Sequence, residues 1–221
     1  MRNYLYIGLI FLVFSCSKSD TDVQEFGYDY YPVIKGKYVV YNVEELIYND
    51  FDNSIDTNIF QLKELMDSAT KDIEGRSIVQ LKRFTRVSDT LEWEFTESWF
   101  FYKGSERLEI TEGNTVFVKM AFPLRRSKSW DGNARNTLDT ENYTVLNLDL
   151  KIVMGTDVFD KTTRINHRSN VNLIEEQVKE EVYAADVGLI ELRDIDLKYD
   201  IDGEIFSGFS YSQTYLEHGI E

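Results

Sequence analysis

The 221-residue chain carries 39 Asp and Glu, 24 Lys and Arg, two His and one Cys. Carboxylates are therefore its most abundant chemical groups, and paired carboxylates act as general acids and bases or bind calcium. Asp200-Ile201-Asp202-Gly203 has the outline of a calcium loop. With Gly203 in the sixth position, Lys198 falls first and Phe209 twelfth, and neither can ligate. Asp131-Gly132-Asn133 fails the same test, with Ser127 in first place. Glu92 and Glu94 alternate with Leu91, Trp93 and Phe95, which makes them the solvated side of a strand. His167 sits in a polar stretch and reads as a surface strand residue, and His218 lies three residues from the end, where an ordered structure is least expected. Gly208-Phe209-Ser210-Tyr211-Ser212 begins like a nucleophile elbow but lacks the closing Gly. No glycine pattern that cradles phosphate occurs. The expectation is a protein with no catalytic residues, no metal and no cofactor.

The single Cys removes intrachain disulfides and multi-Cys zinc sites, and its position gives it another use. Residues 1–16 read MRNYLYIGLIFLVFSC: one Arg, then an apolar run at 4–14, then Val13-Phe14-Ser15-Cys16. Eleven helical residues rise about 16 Å, roughly half a bilayer core, as in a secretion signal rather than a span. The tetrad resembles the bacterial lipobox, where cleavage precedes a Cys that is then acylated. This predicts a signal peptide at 1–15, acylated Cys16 with a polar tether at 16–27, and one β-rich domain at 28–221. Several acyl chains on one Cys make a stable anchor. Ser17 in place of Asp lacks the usual inner-membrane retention signal, so the expected address is the outer membrane, on either face. Cleavage removes Arg2 and takes the formal charge from −15 to −16. That charge is repelled by a nucleic-acid backbone, so no nucleic-acid partner is expected.

Strand-like alternation dominates the rest. Leu91, Trp93 and Phe95 form one such set, and Leu146, Leu148, Leu150, Ile152 and Met154 another. Ile195, Leu197, Tyr199 and Ile201 form a third. Ile190 and Leu192 lie on the opposite parity, which predicts a β-bulge at Arg193-Asp194. Turn signals fall at Glu74-Gly75, Glu112-Gly113-Asn114, Asp131-Gly132-Asn133 and Asp202-Gly203, the last closing a C-terminal hairpin. Residues 60–70 fit either period and are assigned to a strand. Residues 173–185 place Ile174, Val178, Val182 and Ala185 at near-helical spacing and are assigned to a short helix or irregular turn. The fold predicted is a mainly β, single antiparallel sheet, strongly curled like a half-barrel, with at most one or two short helices.

Three segments carry a resemblance. Residues 30–41, YYPVIKGKYVVY, resemble the YYPLKxGxxWxY opening of a group of bacterial envelope β-domains. Trp130-Asp131-Gly132-Asn133 resembles their W-x-G-x segment, and residues 181–190, EVYAADVGLI, their signature near the final strands. The chain is similar in this way to uncharacterised Bacteroidota outer-membrane lipoproteins. The resemblance implies a curled antiparallel half-barrel and transfers no catalytic residue. Asp67-Ser68-Ala69 and Asp89-Thr90-Leu91 also resemble the O-glycosylation tripeptide of that phylum, with Ser68 and Thr90 as acceptors.

Two roles follow for such a domain. In the first, the concave face binds an apolar or amphiphilic ligand in a continuous cleft lined by Trp93, Phe95, Leu148 and Ile152. A face packed shut would end that reading. In the second, the domain is a scaffold or interaction module held off the membrane and binding another envelope protein.

Overall fold

A computed structural model describes residues 26–221; the signal segment, Cys16 and most of the tether lie outside them. The alternating segments become twelve strands. These are β1 (Lys37–Tyr48), β2 (Ile55–Lys71), β3 (Ser77–Arg86), β4 (Glu94–Lys103), β5 (Arg107–Glu112) and β6 (Thr115–Ala121). Then come β7 (Ser129–Asp131), β8 (Asn142–Met154), β9 (Asp157–Val171), β10 (Glu175–Ala184), β11 (Gly188–Tyr199) and β12 (Ile205–Ile220). A 3-10 turn at Tyr28–Tyr30 is the only helical element among the described residues.

The twelve strands make one sheet in the order β6-β5-β4-β3-β2-β1-β12-β11-β10-β9-β8-β7. Two six-stranded meanders are thus joined by antiparallel pairing of β1 with β12. A twisted sheet of this size curls to bury one face, and here its two edges meet. The Val118 N–H donates to the Gly132 carbonyl at 2.8 Å. Trp130 Nε1 donates to the Val118 carbonyl at 2.7 Å, and Asn136 Nδ2 to the Val116 carbonyl at 2.8 Å. The predicted curled sheet is present, and it goes past a half-barrel to near closure. Because the β6–β7 seam has few bonds, each counts. Trp130→Phe removes one donor, and the expected loss is about 1–2 kcal/mol, read as a lower urea midpoint at unchanged slope.

Register fixes which side chains point inward. Val43 faces Gln213, which faces Leu192, then Glu181, Ile165 and Val145 around one half of the barrel. In the other half Val39 faces Glu64 and then Arg83, while Met66 faces Leu81 and then Trp99. Bulges interrupt this alternation. Lys119 is the extra residue of β6 against β5, and His167 that of β9 against β10. Thr96 is the extra residue of β4 against β3.

One end of the barrel is closed by residues 26–36. Tyr30 and Tyr31 are buried there. The Tyr30 hydroxyl donates to Asp149 at 2.7 Å, and Lys103 Nζ donates to the carbonyls of Tyr28 and Tyr31 at 2.6 and 2.7 Å. Leu124 N–H bonds the Phe26 carbonyl, and Asp186 N–H the Asp29 carbonyl. The chain therefore enters the barrel at the end that holds the β4–β5 and β10–β11 turns.

Three expectations need correction. Residues 173–185 form neither helix nor irregular turn, because β10 is laddered on both sides, to β9 and β11. Ile174, Val178 and Val182 are spaced by four, and a two-residue period satisfies that spacing equally well. No bulge occurs at Arg193-Asp194, where both ladders run unbroken. The extra residue is Ile190, opposite Val182 and Tyr183. His218 belongs to an ordered strand, and its Nδ1 lies 2.8 Å from the Tyr215 hydroxyl.

Candidate functional site

The barrel interior is filled by its own side chains. Two apolar clusters lie within its core. One centres on Tyr31, Leu81, Phe101, Met120, Tyr143 and Ile165, the other on Tyr41, Val43, Leu62, Phe159, Val182 and Ile190. The four residues expected to share a cleft are not brought together. Leu148 packs against the first cluster and Ile152 against the second. Phe95 is 57% exposed on the convex face, edge-on to Phe84, and Trp93 lies beneath the Arg86 guanidinium on that same face. The reason is the bulge at Thr96. It flips the sheet face between Phe95 and Glu97, so the apolar set at 91–95 turns outward while Trp99 and Phe101 stay in. The expected continuous apolar cleft is therefore not formed among the described residues.

Against the first cluster lies a chamber of about 60 Å³, where Glu64, Glu112, Lys119, Glu181 and Gln213 meet a wall of Leu81, Trp99, Ile110, Leu189 and Leu192. Lys119 reaches Glu181 at 2.8 Å and Glu112 at 2.9 Å. Glu181 accepts from the Tyr183 hydroxyl at 2.6 Å and lies 3.2 Å from His167 Nε2. His167 is 3% exposed, not a surface residue, and its ring stacks on Tyr143 at 3.6 Å. Neither of its ring nitrogens makes an aligned hydrogen bond within the protein. Lys119 and His167 are both bulge residues, and bulges re-aim side chains; here the two converge on Glu181. A second group sits nearer the far end, where Arg83 bonds Glu64 at 3.1 Å and Glu97 at 2.7 Å and stacks on Trp99 at 3.8 Å.

The electrostatics of the chamber follow from pairing against burial. Burial opposes charge on Glu181, but Lys119 and then His167 outweigh it and hold the carboxyl well below the usual range. Burial likewise opposes charge on Lys119, and Glu181 with Glu112 keeps it well above an ordinary lysine. Glu64 goes the other way, raised by burial and by the charge of Glu112 despite Arg83. The two carboxylates thus give opposite pH dependences. Glu181 contributes stability above the ordinary Glu range, and that stability is lost as pH falls through its depressed folded value. Glu64 is disfavoured when ionised, so stability rises as pH falls through its raised value. The urea midpoint is expected to pass through a maximum on the acid side of neutrality. Glu64→Gln should remove the acid-side rise and keep the fall below the ordinary Glu range.

Chemically the chamber is a matched set of ion pairs with room for a few waters. Lys119 is charged and doubly engaged, so it is no nucleophile, and Glu181 is ionised and capped on every side. Among the described residues no His, Cys, Asp and Glu cluster suited to a metal ion occurs. Ser68 is exposed at an irregularity of β2, and Thr90 is exposed in the turn between β3 and β4.

An exposed apolar surface lies at the end opposite residues 26–36. The β9–β10, β11–β12 and β1–β2 hairpins stand side by side there. The first two are joined by Tyr199 N–H to the Ile174 carbonyl at 2.9 Å. A groove of about 350 Å³ between the last two is lined by Tyr48, Ile55, Tyr199, Ile205 and Phe206. The tips carry Leu173 at 93% exposure, Ile201 at 99% and Phe51 at 94%. The β3–β4 loop leans on β2 beside them, forming a groove of about 480 Å³ with Phe60, Arg86, Val87 and Leu91. Alternation marks Leu91, Tyr199 and Ile201 as strand-face residues, but no local pattern shows that they meet Phe51 and Leu173 at one end.

Neither a protein-family model nor a curated protein matches the chain. Two solved structures resemble it at 10% identity and a TM-score of 0.43. One is a Bacteroides fragilis protein assigned as exported, with a YmcC-like fold; the match covers 85% of this chain and 98% of that one. The other is a Parabacteroides distasonis protein assigned as a lipoprotein; it covers 86% of this chain and 98% of that one.

Proposed function

We propose that the protein is a lipid-anchored module of the bacterial outer membrane, of the lipoprotein group its sequence resembles. In this reading it acts by binding another envelope protein rather than by catalysis or ligand carriage. The observation that carries the reading is the filled interior. A barrel whose inward residues pack into apolar clusters and ion pairs, leaving a chamber of only about 60 Å³, leaves its outer surface for binding. The lipobox-like tetrad supplies the anchor at Cys16. The nine residues from 17 to 25 form a tether of at most about 30 Å, at 3.3–3.6 Å per residue. The test is gentle detergent extraction from the native envelope followed by size-exclusion chromatography. Elution as a stoichiometric complex with a second protein is expected. Elution as a lone chain carrying a lipid-like molecule would favour the ligand-carrier reading instead.

A further inference from the structure

Four of the turns at the far end share a composition that their separate sequences hide. They read NDFDNS at 49–54, VSDTLEW at 87–93, NLI at 172–174 and DIDGE at 200–204. Together they hold seven carboxylates and no Lys or Arg. Phe51 stands between Asp50 and Asp52, and Ile201 between Asp200 and Asp202. Large apolar side chains left 93–99% exposed at three adjacent tips, with grooves beside them, have the character of an interaction surface.

The charge selects the occupant. Anionic lipid headgroups repel carboxylates, and surfaces that bind membranes carry Lys and Arg on their polar side. A second copy of this chain would bring the same seven carboxylates against these, on a protein of formal charge −16 after cleavage. A strongly basic protein face with apolar hollows meets both features: its cations complement the acid ring, and its hollows take the tips. The position fits as well. The strands separate this rim from the end where Phe26 enters, and β1 alone, at twelve residues, runs about 40 Å. The rim therefore lies at the end opposite Phe26.

Resting on the module reading above, we infer that the hairpin rim is the docking surface, and that its partner is a protein presenting a cationic, apolar-pocketed face. A photo-crosslinking residue placed at Phe51, Leu173 or Ile201 of the full chain in its native envelope tests this, with Ile73 at the opposite end as control. Ile73 has the same setting, exposed between Asp72 and Glu74. These positions are exposed tips, so the fold tolerates the change, and an unchanged circular dichroism spectrum and urea midpoint check it. The expected result is one discrete protein adduct from the rim positions, whose crosslinked segment is rich in Lys or Arg. Its yield should fall about tenfold in D50N/D202N/E204Q, as loss of electrostatic steering predicts, and should fall again as salt is raised. An adduct that is a second copy of this chain, or a lipid, overturns the inference. So does a protein adduct indifferent to both charge removal and salt. An adduct from Ile73 alone overturns the rim while leaving the module reading intact. No protein adduct from any position overturns both.

Discussion

Lys119→Met is expected to destabilise the barrel by about 3–5 kcal/mol, the usual consequence of stripping the partner from a buried charge. The ammonium joins Glu112 of β5 to Glu181 of β10 across the interior. Glu181 is 2% exposed, and only His167 and the Tyr183 hydroxyl would remain to support its charge. Glu181→Gln should be milder, because Glu112 still neutralises Lys119. The double variant Lys119→Met/Glu181→Gln should recover part of the loss, since the orphaned carboxylate is gone. Lys151 and Asp160 provide the contrast. They are also 2.8 Å apart, but 62% and 78% exposed, and Lys151→Met should move stability by less than about 0.5 kcal/mol. Urea midpoints of the four variants against the parent decide the matter. Equal effects for the buried and exposed lysines would show that the chamber is not a clamp.

Cys16→Ala is expected to move the protein wholly from the membrane fraction to the soluble fraction without changing its urea midpoint. Two or more acyl chains on one residue hold a protein where a single chain gives only reversible binding, about 10⁴ M⁻¹. Among the described residues no helix is long and apolar enough to cross a membrane. The described domain begins at Phe26 and is closed by Tyr30 and Tyr31, so its urea midpoint is expected not to depend on Cys16. Fractionation of cells followed by blotting reads the shift. A Cys16→Ala protein that stays in the membrane would place the attachment elsewhere.

Much of the fold was legible because strands write their period into the sequence. The sets at 91–95, 146–154 and 195–201 all lie in or beside strands, and every predicted turn falls at a strand end. Residues 60–70 lie in β2 as assigned. Alternation separates two faces but does not say which is concave, and one extra residue reverses the answer. Thr96 does this for Trp93 and Phe95. Ile190 does it for β11, whose parity changes there and not at Arg193-Asp194. The chamber was hidden for a related reason. Lys119 and His167 lie 48 residues apart in the chain and meet only because each is the bulge residue of its own strand. Closure by Trp130 and Asn136 across the β6–β7 seam was equally out of reach, since it joins edges that no local pattern relates. The rim shows a different limit. Its apolar tips sit in separate turns, and only the meander order brings them to one end.

The central claim, that this is an anchored barrel with a filled interior, is tested most directly by native mass spectrometry of the protein extracted from its own envelope. The mass expected after gas-phase removal of detergent is that of residues 16–221 with acyl chains on Cys16, and it should stay the same on denaturation. An additional lipid-like mass that leaves on denaturation would contradict the claim and return the barrel to the class of ligand carriers.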